Sequence, residues 1–314
     1  MYKNLIKIST KGMPHEEWLE HRSRSIGGSD AAAIIGLNPW ASPYSVWAEK
    51  LGIIPPKEDN EAMRLGRDLE EYVAKRFTEA TGKRVRRENS IIINPEYPFA
   101  HANVDRLIIG EDAGLEIKTT TTLNLKRFKN GEYPASYYCQ CCHYMAVTGA
   151  KRWFLAVLIL GKEFKWFCIE RDEAEISALM RSEAEFWQLV EKKSPPPTDG
   201  EKSTTEAISA VYPGEDAADD VSLFGYESEL AQYVAIGEQM KELKKLQDAC
   251  ANRLKECLGN SSRGEGTGYS VSWAPATRPT FDAQAFARDH SDIDLSKYYK
   301  TSNYRTFKVS RIEN

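Results

Sequence analysis

The sequence lacks any long apolar stretch. Its longest apolar run, Trp153–Leu160, is far shorter than the roughly 20 residues that a membrane-spanning helix needs. Lys3, Lys7 and Lys11 also interrupt the N-terminal region, which therefore lacks the continuous apolar segment of a signal peptide. These two absences predict a cytosolic protein that does not associate with membranes.

An excess of positive charge is missing as well. The chain has 42 lysine and arginine residues against 46 aspartate and glutamate residues, for a formal net charge of −4. This balance excludes a broadly basic, histone-like surface, but an acidic protein can still carry a local basic groove for nucleic acid. Lys83–Arg87 and Lys126–Lys129 are candidates either for such a groove or for ordinary solvated surface.

The six cysteines do not form a complete zinc-binding set. Cys139, Cys141 and Cys142 are clustered, but no second pair with the same spacing completes a four-ligand site. Two interpretations remain open. Cys139 and Cys142 chelate a metal together with Cys168, or the cluster consists of reduced cysteines buried on a helix.

With 314 residues and 41% apolar content, the chain is long enough for a sizeable core and an accessory region. Helical and strand patterns alternate over residues 1–193, which are predicted to form one domain. Residues 194–226 are rich in proline and acidic residues and are predicted to be a linker. Residues 227–314 are predicted to be an accessory region with a long amphipathic helix, Glu227–Leu258, and strands at Tyr269–Ala274 and Tyr304–Ile312. Three tryptophans are expected in the core: Trp18, Trp40 and Trp47.

Two predicted strands carry an unusual set of charges. Ala102–Ile109 and Leu115–Thr121 flank a glycine-rich loop and are predicted to pair as a hairpin. Side chains two residues apart on a strand point the same way, so Glu116 and Lys118 share one face while their apolar neighbours occupy the other. Asp105 lies on the preceding strand, and the pairing brings it beside Glu116. Two carboxylates and one lysine are therefore expected to converge at a strand end.

This combination suits metal-dependent hydrolysis. Two carboxylates match the oxygen-ligand preference of Mg²⁺, for which Mn²⁺ can substitute. A lysine beside them can orient a water molecule and stabilise negative charge in a transition state. An aspartate followed by Glu-x-Lys is the pattern of the PD-(D/E)xK nucleases, although the spacing alone also fits a surface hairpin with an ion pair.

Four ordered motifs strengthen the first interpretation, and together they resemble the YqaJ-type viral recombinases, a family similar to lambda exonuclease. The resemblance covers about residues 13–193. The motifs are Trp18–Asp30, Leu65–Glu70, Asn103–Asp105 with Leu115–Lys118, and Tyr138–Met145.

The resemblance implies a fold and a set of site residues. The fold is an α/β restriction-endonuclease-like core, a central mixed sheet flanked by helices, with a helical C-terminal appendage. By this resemblance, Asp105, Glu116 and the Ile117 backbone carbonyl bind the metal, and Glu70 supports a second metal. Lys118 orients a water molecule, and Gln140 lies near the metal. Arg22 and Ser29 bind a 5′-terminal phosphate. One residue departs from the family pattern: Arg106 replaces the usual glycine after Asp105, which alters the turn or adds a phosphate contact.

The activity that the resemblance implies is Mg²⁺-dependent 5′-to-3′ degradation of double-stranded DNA from its ends, which leaves 3′ overhangs for a phage-type single-strand annealing protein. It also implies a homo-oligomer, a trimer in this family. Two alternatives stay open: a Cas4-like or structure-specific DNA nuclease, and a DNA-end-binding module that does not use its metal site.

Overall fold

The computed structural model describes residues 1–56, 59–214, 220–290, 293–300 and 305–311. The chain divides into two compact units, Met1–Pro213 and Gly214–Asn314. None of the helices in these described ranges is both long enough and apolar enough to cross a membrane.

Short helices and one long helix build the first unit, and local capping explains several of their bounds. The Ser42 hydroxyl accepts the backbone N–H of Ser45 at 3.2 Å, and Pro43 opens the helix that follows. Gly82, with φ 72°, ends the longest helix. The helices are α1 His15–Ser23, α2 Gly28–Ile34, α3 Pro43–Lys50, α4 Glu61–Thr81, α5 Ala135–Thr148, α6 Glu173–Glu191 and α7 Lys202–Val211.

Two sheets lie in the first unit. Their strands are β1 Ile6–Ser9, β2 Ile26–Gly27, β3 Val85–Arg87, β4 Ser90–Ile93, β5 Ala100–Ala102, β6 Arg106–Ile108, β7 Ala113–Thr120, β8 Arg152–Ile159 and β9 Glu163–Glu170. The larger sheet has the order β3-β6-β7-β8-β9, and the smaller has the order β1-β4-β5-β2. In the larger sheet only β7 and β8 run parallel, because the chain between them crosses over through α5. This mixed sheet flanked by helices confirms the predicted fold class.

Both faces of β7 are covered. Leu115 and Ile117 pack with Phe77 of α4 on one face. Glu116 and Lys118 point to the opposite face, where α5 packs, and Glu116 is only 3% exposed. The carboxylate that the hairpin pattern places beside a lysine therefore lies in the interior of the unit rather than on its surface.

The predicted strand Ala102–Ile109 is interrupted. Residues 103–105 separate β5 from β6, and these two strands belong to different sheets. Asp105 therefore lies immediately before β6, at the point where the chain passes from the smaller sheet to the larger one. The hairpin itself forms as predicted, with Arg106 opposite Leu115.

The first unit extends beyond the boundary expected at Lys193. Helix α7 packs on α3, with Thr204 and Ala207 fully covered. Ala207 shares a cluster with Tyr44 and Trp47. Ala207, Ile208 and Val211 fall at helical spacing, but the proline and acidic residues around this segment make its composition resemble that of a linker.

The second unit contains one long helix, a hairpin and short helical segments. Its elements are α8 Glu227–Leu258, β10 Arg263–Gly266, β11 Tyr269–Ser272, α9 Ala283–Asp289 and a 3-10 turn at Ser296–Tyr298. No residue of α8 is buried. The strand predicted at Tyr304–Ile312 does not form over residues 305–311, and its two end residues lie outside the described ranges.

Candidate active site

The two carboxylates expected to converge do so at the start of β6. Asp105 Oδ2 accepts the backbone N–H of Ile117 at 2.7 Å, which ties the segment before β6 to the middle of β7. The N–H and C=O groups of a strand residue point to the same side, so the Ile117 carbonyl also points toward Asp105. Glu116 is adjacent, and the carboxylate of Glu116 acts electrostatically on that of Asp105.

A chain of polar contacts leads from Glu116 to α5. Lys118 Nζ lies 2.6 Å from Glu116 Oε1 and donates to Gln140 Oε1 at 2.9 Å. Gln140 Nε2 in turn donates to the Tyr144 hydroxyl at 2.8 Å. The Lys118 ammonium also lies 5.2 Å from the centre of the Tyr137 ring. Lys118 is thus held in one position by partners on β7 and on α5.

The electrostatics of this cluster favour a bound cation. Burial, followed by the nearby carboxylate of Glu116, raises the pKa of Asp105 well above its usual range. Burial alone would lower the pKa of Lys118, but the Glu116 carboxylate outweighs it, so the pKa of Lys118 lies above its ordinary value. Lys118 is therefore charged at neutral pH, and one ammonium does not fully offset two crowded carboxylates.

One oxygen in the cluster has no partner. Glu116 Oε2 is buried and accepts no hydrogen bond from the described residues. A buried carboxylate oxygen without a donor is costly unless a cation binds it. Glu116, Asp105 and the Ile117 carbonyl together present oxygen atoms only, which fits Mg²⁺ or Mn²⁺. In the described part of the chain no three His, Cys, Asp or Glu side chains group as a metal site, so the set is two carboxylates and a backbone oxygen.

Glu70 lies close to this set but is engaged elsewhere. Arg106 Nη1 donates to Glu70 Oε1, and Arg106 Nη2 donates to Glu71 Oε2 at 3.0 Å. The Arg106 side chain is only 3% exposed. The arginine that departs from the family pattern is therefore a buried ion-pair partner of α4. Its two terminal nitrogens donate to α4, and the residue also borders a cleft together with Asp105.

Arg22 and Ser29 meet as expected, and two further residues hold them. Arg22 Nη2 donates to Ser29 Oγ at 3.0 Å and lies 3.4 Å from Asp30 Oδ1. Lys50 Nζ lies 2.7 Å from Asp30 Oδ2 and donates to the Arg22 carbonyl at 2.8 Å. Burial would raise the pKa of Asp30, but Lys50 and Arg22 together hold it well below its ordinary value. Trp18 supports the Arg22 guanidinium, 5.1 Å from the ring centre.

The sequence alone assigns no functional role to Asp30 or Lys50. Asp30 lies inside the first motif, where an acidic residue next to Ser29 is expected only to stabilise the start of a helix. Lys50 is at the end of α3, and only the packing of α2 on α3 brings its ammonium to Asp30. Arg22 uses only Nη2 in its contacts with Ser29 and Asp30, so the rest of its guanidinium remains available for an incoming anion.

Two clefts flank the cluster. One, of about 250 Å³, is lined by Asp105, Glu70 and Trp18 among others. The other, of about 220 Å³, is lined by residues from four segments, namely Ser29, Ala32, Asn38, Pro39, Trp40, Lys118, Arg127, Pro134, Ser136, Tyr137 and Gln140. The second cleft joins Ser29 to Lys118 and Gln140. Gly28 permits this arrangement, because a side chain there would lie 2.6 Å from the Tyr144 ring.

The two basic segments, Lys83–Arg87 and Lys126–Lys129, differ in how available their charges are for nucleic acid. In the first, Lys83 pairs with Glu111 at 2.5 Å and Arg87 with Glu71 at 2.9 Å, so their charges are already matched. The second lies in a 3-10 segment, Thr122–Gly131, which buried Phe128 anchors and whose basic side chains are exposed. The second segment contributes Arg127 to the second cleft, whereas Arg87 of the first segment lines the other cleft.

The clustered cysteines are buried and pack inside the first unit. Cys139, Cys141 and Cys142 lie inside α5, and Cys168 is exposed on β9. Burial raises the pKa of Cys142 to about 11, which disfavours the thiolate that metal binding requires. His143 is also internal: its Nδ1 lies 2.8 Å from Glu183 Oε1 and its Nε2 lies 2.8 Å from the His101 carbonyl.

Comparisons with known proteins agree with this geometry. Residues 17–151 match the model of the YqaJ-like viral recombinase domain. The chain is 36% identical, over 305 residues, to the uncharacterized protein YqaJ of Bacillus subtilis, covering 96% of this chain and 95% of that protein. An alkaline exonuclease of Laribacter hongkongensis, LHK-Exo, superimposes with a TM-score of 0.51 at 25% identity, over 57% of this chain and 94% of the exonuclease. Its complex with dAMP matches at 0.50 and 26% identity, again over 57% and 94%.

Proposed function

Because the chain belongs to the YqaJ-like viral recombinase family, we propose that it is a metal-dependent 5′-to-3′ exonuclease that degrades double-stranded DNA from its ends. One observation supports the proposal most. Asp105, Glu116 and Lys118 converge beside a cleft, and Glu116 Oε2 is buried there without a hydrogen-bond donor among the described residues. The similarity to an alkaline exonuclease supports the class of reaction.

Each residue of the cluster has a role in the proposed reaction. Asp105, Glu116 and the Ile117 carbonyl hold the divalent cation, with Mg²⁺ as the proposed ion and Mn²⁺ as a substitute. When bound, such a cation polarises the phosphate and lowers the pKa of a water molecule. Lys118 orients the attacking water and stabilises the negative charge that develops on the phosphate. Gln140 keeps Lys118 in place through its 2.9 Å hydrogen bond.

The direction of degradation rests on the pocket of Arg22 and Ser29. A guanidinium and a hydroxyl 3.0 Å apart offer several donors to one terminal phosphate. Ser29 and Lys118 line the same cleft, so a strand held by its 5′-phosphate reaches the catalytic lysine within it. Cleavage next to that phosphate removes nucleotides from the 5′ end and leaves a 3′ overhang.

The proposal also includes a protein partner, an oligomeric assembly and a role for Glu70. A single-strand annealing protein is the proposed recipient of the 3′ overhang, and a homo-oligomer, a trimer by family resemblance, is the proposed assembly. Glu70 is proposed to support a second metal ion, for which its contact with Arg106 must open. The alternatives are a Cas4-like or structure-specific nuclease, and a DNA-end-binding module without catalysis.

A digestion assay separates these functions. Purified protein is incubated with linear duplexes that carry a 5′-phosphate or a 5′-hydroxyl, with Mg²⁺ or with EDTA. The proposal predicts release of nucleotides from the 5′-phosphorylated strand with Mg²⁺ alone. Internal cuts at junctions or flaps would favour a structure-specific nuclease, and binding to ends without any cleavage would favour the end-binding module.

Single substitutions then test the assigned roles. Lys118→Ala is expected to reduce cleavage at least about 100-fold, the usual effect of losing a donor that stabilises the transition state. It should still bind Mn²⁺ in isothermal titration, because both carboxylates remain. Asp105→Asn and Glu116→Gln should lose cleavage and Mn²⁺ binding together. Lys162→Ala, in the exposed turn between β8 and β9, is the control; full activity in Lys118→Ala would contradict the assignment.

A further inference from the structure

Trp40 is exposed, although a core position is expected from its size. Its side chain is 75% accessible, whereas Trp47 and Trp153 are 4% and 0% accessible. It lies in the connection between α2 and α3, which is locally ordered. The Trp40 backbone N–H donates to Asn38 Oδ1 at 2.9 Å. An apolar ring of this area held in water is unfavourable unless something packs against it.

The surroundings of Trp40 indicate what that partner is. The ring lines the cleft that also contains Ser29, Lys118 and Gln140, and Arg127 lies in the same lining. These neighbours are polar or cationic, which suits a phosphodiester backbone. An aromatic ring beside cationic side chains is the combination that binds single nucleic acid strands, since bases stack on aromatic rings while lysine and arginine contact phosphates.

The structure assigns Trp40 as a stacking platform for a nucleobase at the 5′ end of the strand being degraded, an inference that rests on the proposed function. The 5′-phosphate lies at Ser29 and the reacting phosphate at Lys118, so the bases of the nucleotides between them lie within the cleft that Trp40 borders. Stacking holds those bases out of the duplex. Trp40 is therefore a positioning residue rather than a catalytic one.

A substrate without the bases tests this directly. Two 5′-phosphorylated duplexes are compared, one normal and one with abasic sites at the first two nucleotides of the 5′ strand. Base–aromatic stacking contributes about 1–3 kcal/mol per base, so Trp40→Ala is expected to weaken binding of the normal duplex about 5- to 150-fold. It should leave binding of the abasic duplex unchanged within about twofold. Trp40→Phe should retain most of the affinity.

Three controls complete the design. Phe224→Ala removes another exposed aromatic ring, 90% accessible, outside the first unit and should change neither affinity. A duplex with abasic sites at the 3′ end of the opposite strand should respond to Trp40→Ala like the normal duplex. Size-exclusion chromatography checks assembly, because Leu37 is also exposed near Trp40. Equal losses on normal and 5′-abasic duplexes, or a change of assembly in Trp40→Ala, would overturn the inference.

Binding is measured by fluorescence anisotropy in EDTA, so the result does not depend on cleavage. If the wild-type protein binds ends but does not digest them, the proposed function fails while the stacking comparison still decides the role of Trp40. If the protein digests DNA and Trp40→Ala behaves like wild type on both duplexes, the stacking inference fails alone.

Discussion

Arg106 lies against Glu70, one residue after the proposed metal ligand Asp105. Its guanidinium, 3% exposed, bridges Glu70 and Glu71 on α4 and so joins the start of β6 to that helix. The Asp105 carboxylate is therefore set in place from two sides, by the Ile117 N–H and by the anchored residue that follows it. The same contact occupies one oxygen of the Glu70 carboxylate, which borders the cleft that Asp105 also lines.

Arg106→Met is expected to destabilise the first unit by about 1–3 kcal/mol, because it leaves the partly buried Glu70 carboxylate without its partner. Glu70→Gln in the same background should cost much less than it does alone, since the pair is already broken. Urea unfolding of the two single variants and the double variant measures this coupling. The exposed pair of Arg67 and Asp59 is the control, where Arg67→Met should change stability by no more than about 0.5 kcal/mol. Additive effects at Arg106 and Glu70 would show that the ion pair contributes nothing.

Arg22→Ala should slow digestion of a 5′-phosphorylated duplex far more than digestion of a 5′-hydroxyl duplex. The guanidinium is directed at the Ser29 hydroxyl, and a terminal phosphate supplies the charge that it binds. Initial rates on the two substrates measure the effect. Arg24→Ala is a matched control, because Arg24 lies at the same helix end but pairs with exposed Glu20. Equal slowing on both substrates would make Arg22 a general backbone contact.

Features of the fold and site that depend on short stretches of sequence are the ones that the sequence predicts. Helix α8 has the bounds expected from the sequence, since Gly259 follows its last turn. The strand pattern also predicts the meeting of Asp105 with Glu116, because hairpin pairing and a period of two are properties of short segments. Contacts between distant segments were not predictable in this way. Lys50 reaches Asp30 only after α2 and α3 pack together.

The positions of Trp40 and Arg106 differ from those expected from the sequence, and both differences have a physical reason. A tryptophan is expected in a core because its apolar area is large, but Trp40 is exposed at a cleft with both polar and apolar lining, where a ligand can supply the missing contact. Arg106 is expected either to alter the turn or to contact a phosphate, whereas its guanidinium is buried because two glutamates of α4 compensate its charge. In both cases the deciding partner lies outside the local sequence.

Stability should decrease as the pH rises above about 6.5 because of His143. Burial alone lowers its pKa, but the Glu183 carboxylate outweighs burial and raises the pKa above the ordinary 6.5. Both ring nitrogens face acceptors, which suits the doubly protonated imidazolium. A raised folded-state pKa contributes stability that is complete below about pH 6.5 and is lost as the pH passes through the folded value.

Urea unfolding at pH 6 and at higher pH measures this loss. The double variant His143→Gln with Glu183→Gln removes the pair without leaving a buried charge, and its stability should vary less over this range. His290→Gln, at an exposed histidine of the second unit, should behave like the wild type. An unchanged pH dependence in the double variant would assign the effect to other groups.

A chain that ends at Pro213 should fold and cleave short 5′-phosphorylated duplexes, because it keeps every element of the first unit. A chain that ends at Lys193 should be less stable, since removal of α7 uncovers the cluster of Tyr44, Trp47 and Ala207. Circular dichroism with thermal unfolding reports the stability, and initial rates report the activity. A folded 1–213 chain without detectable cleavage would show that the second unit completes the active site.

The proposed self-association is expected to involve α8, because its exposed apolar residues follow a heptad pattern over four repeats. Positions a and d are Tyr233, Ile236, Met240, Leu243, Gln247, Cys250, Leu254 and Cys257. None of these is charged, whereas most charged residues of this stretch lie at positions b, c and f. Such a seam suits packing against copies of the same helix, and we expect these helices to run parallel and in register. Met240 and Leu243, each 64% accessible, are available for that contact.

Mild oxidation tests the arrangement. Parallel helices in register bring each d-position cysteine opposite its copy at a distance that a disulfide can bridge. Wild-type protein should therefore form a cross-linked dimer that Cys250→Ser with Cys257→Ser removes. Asn252→Cys in that double-serine background places a thiol at the outer position f and should not restore the cross-link. Light scattering of Leu243→Glu should give a smaller mass than the wild type. A monomeric wild type, or equal cross-linking through position 252, would show that α8 does not pair in this way.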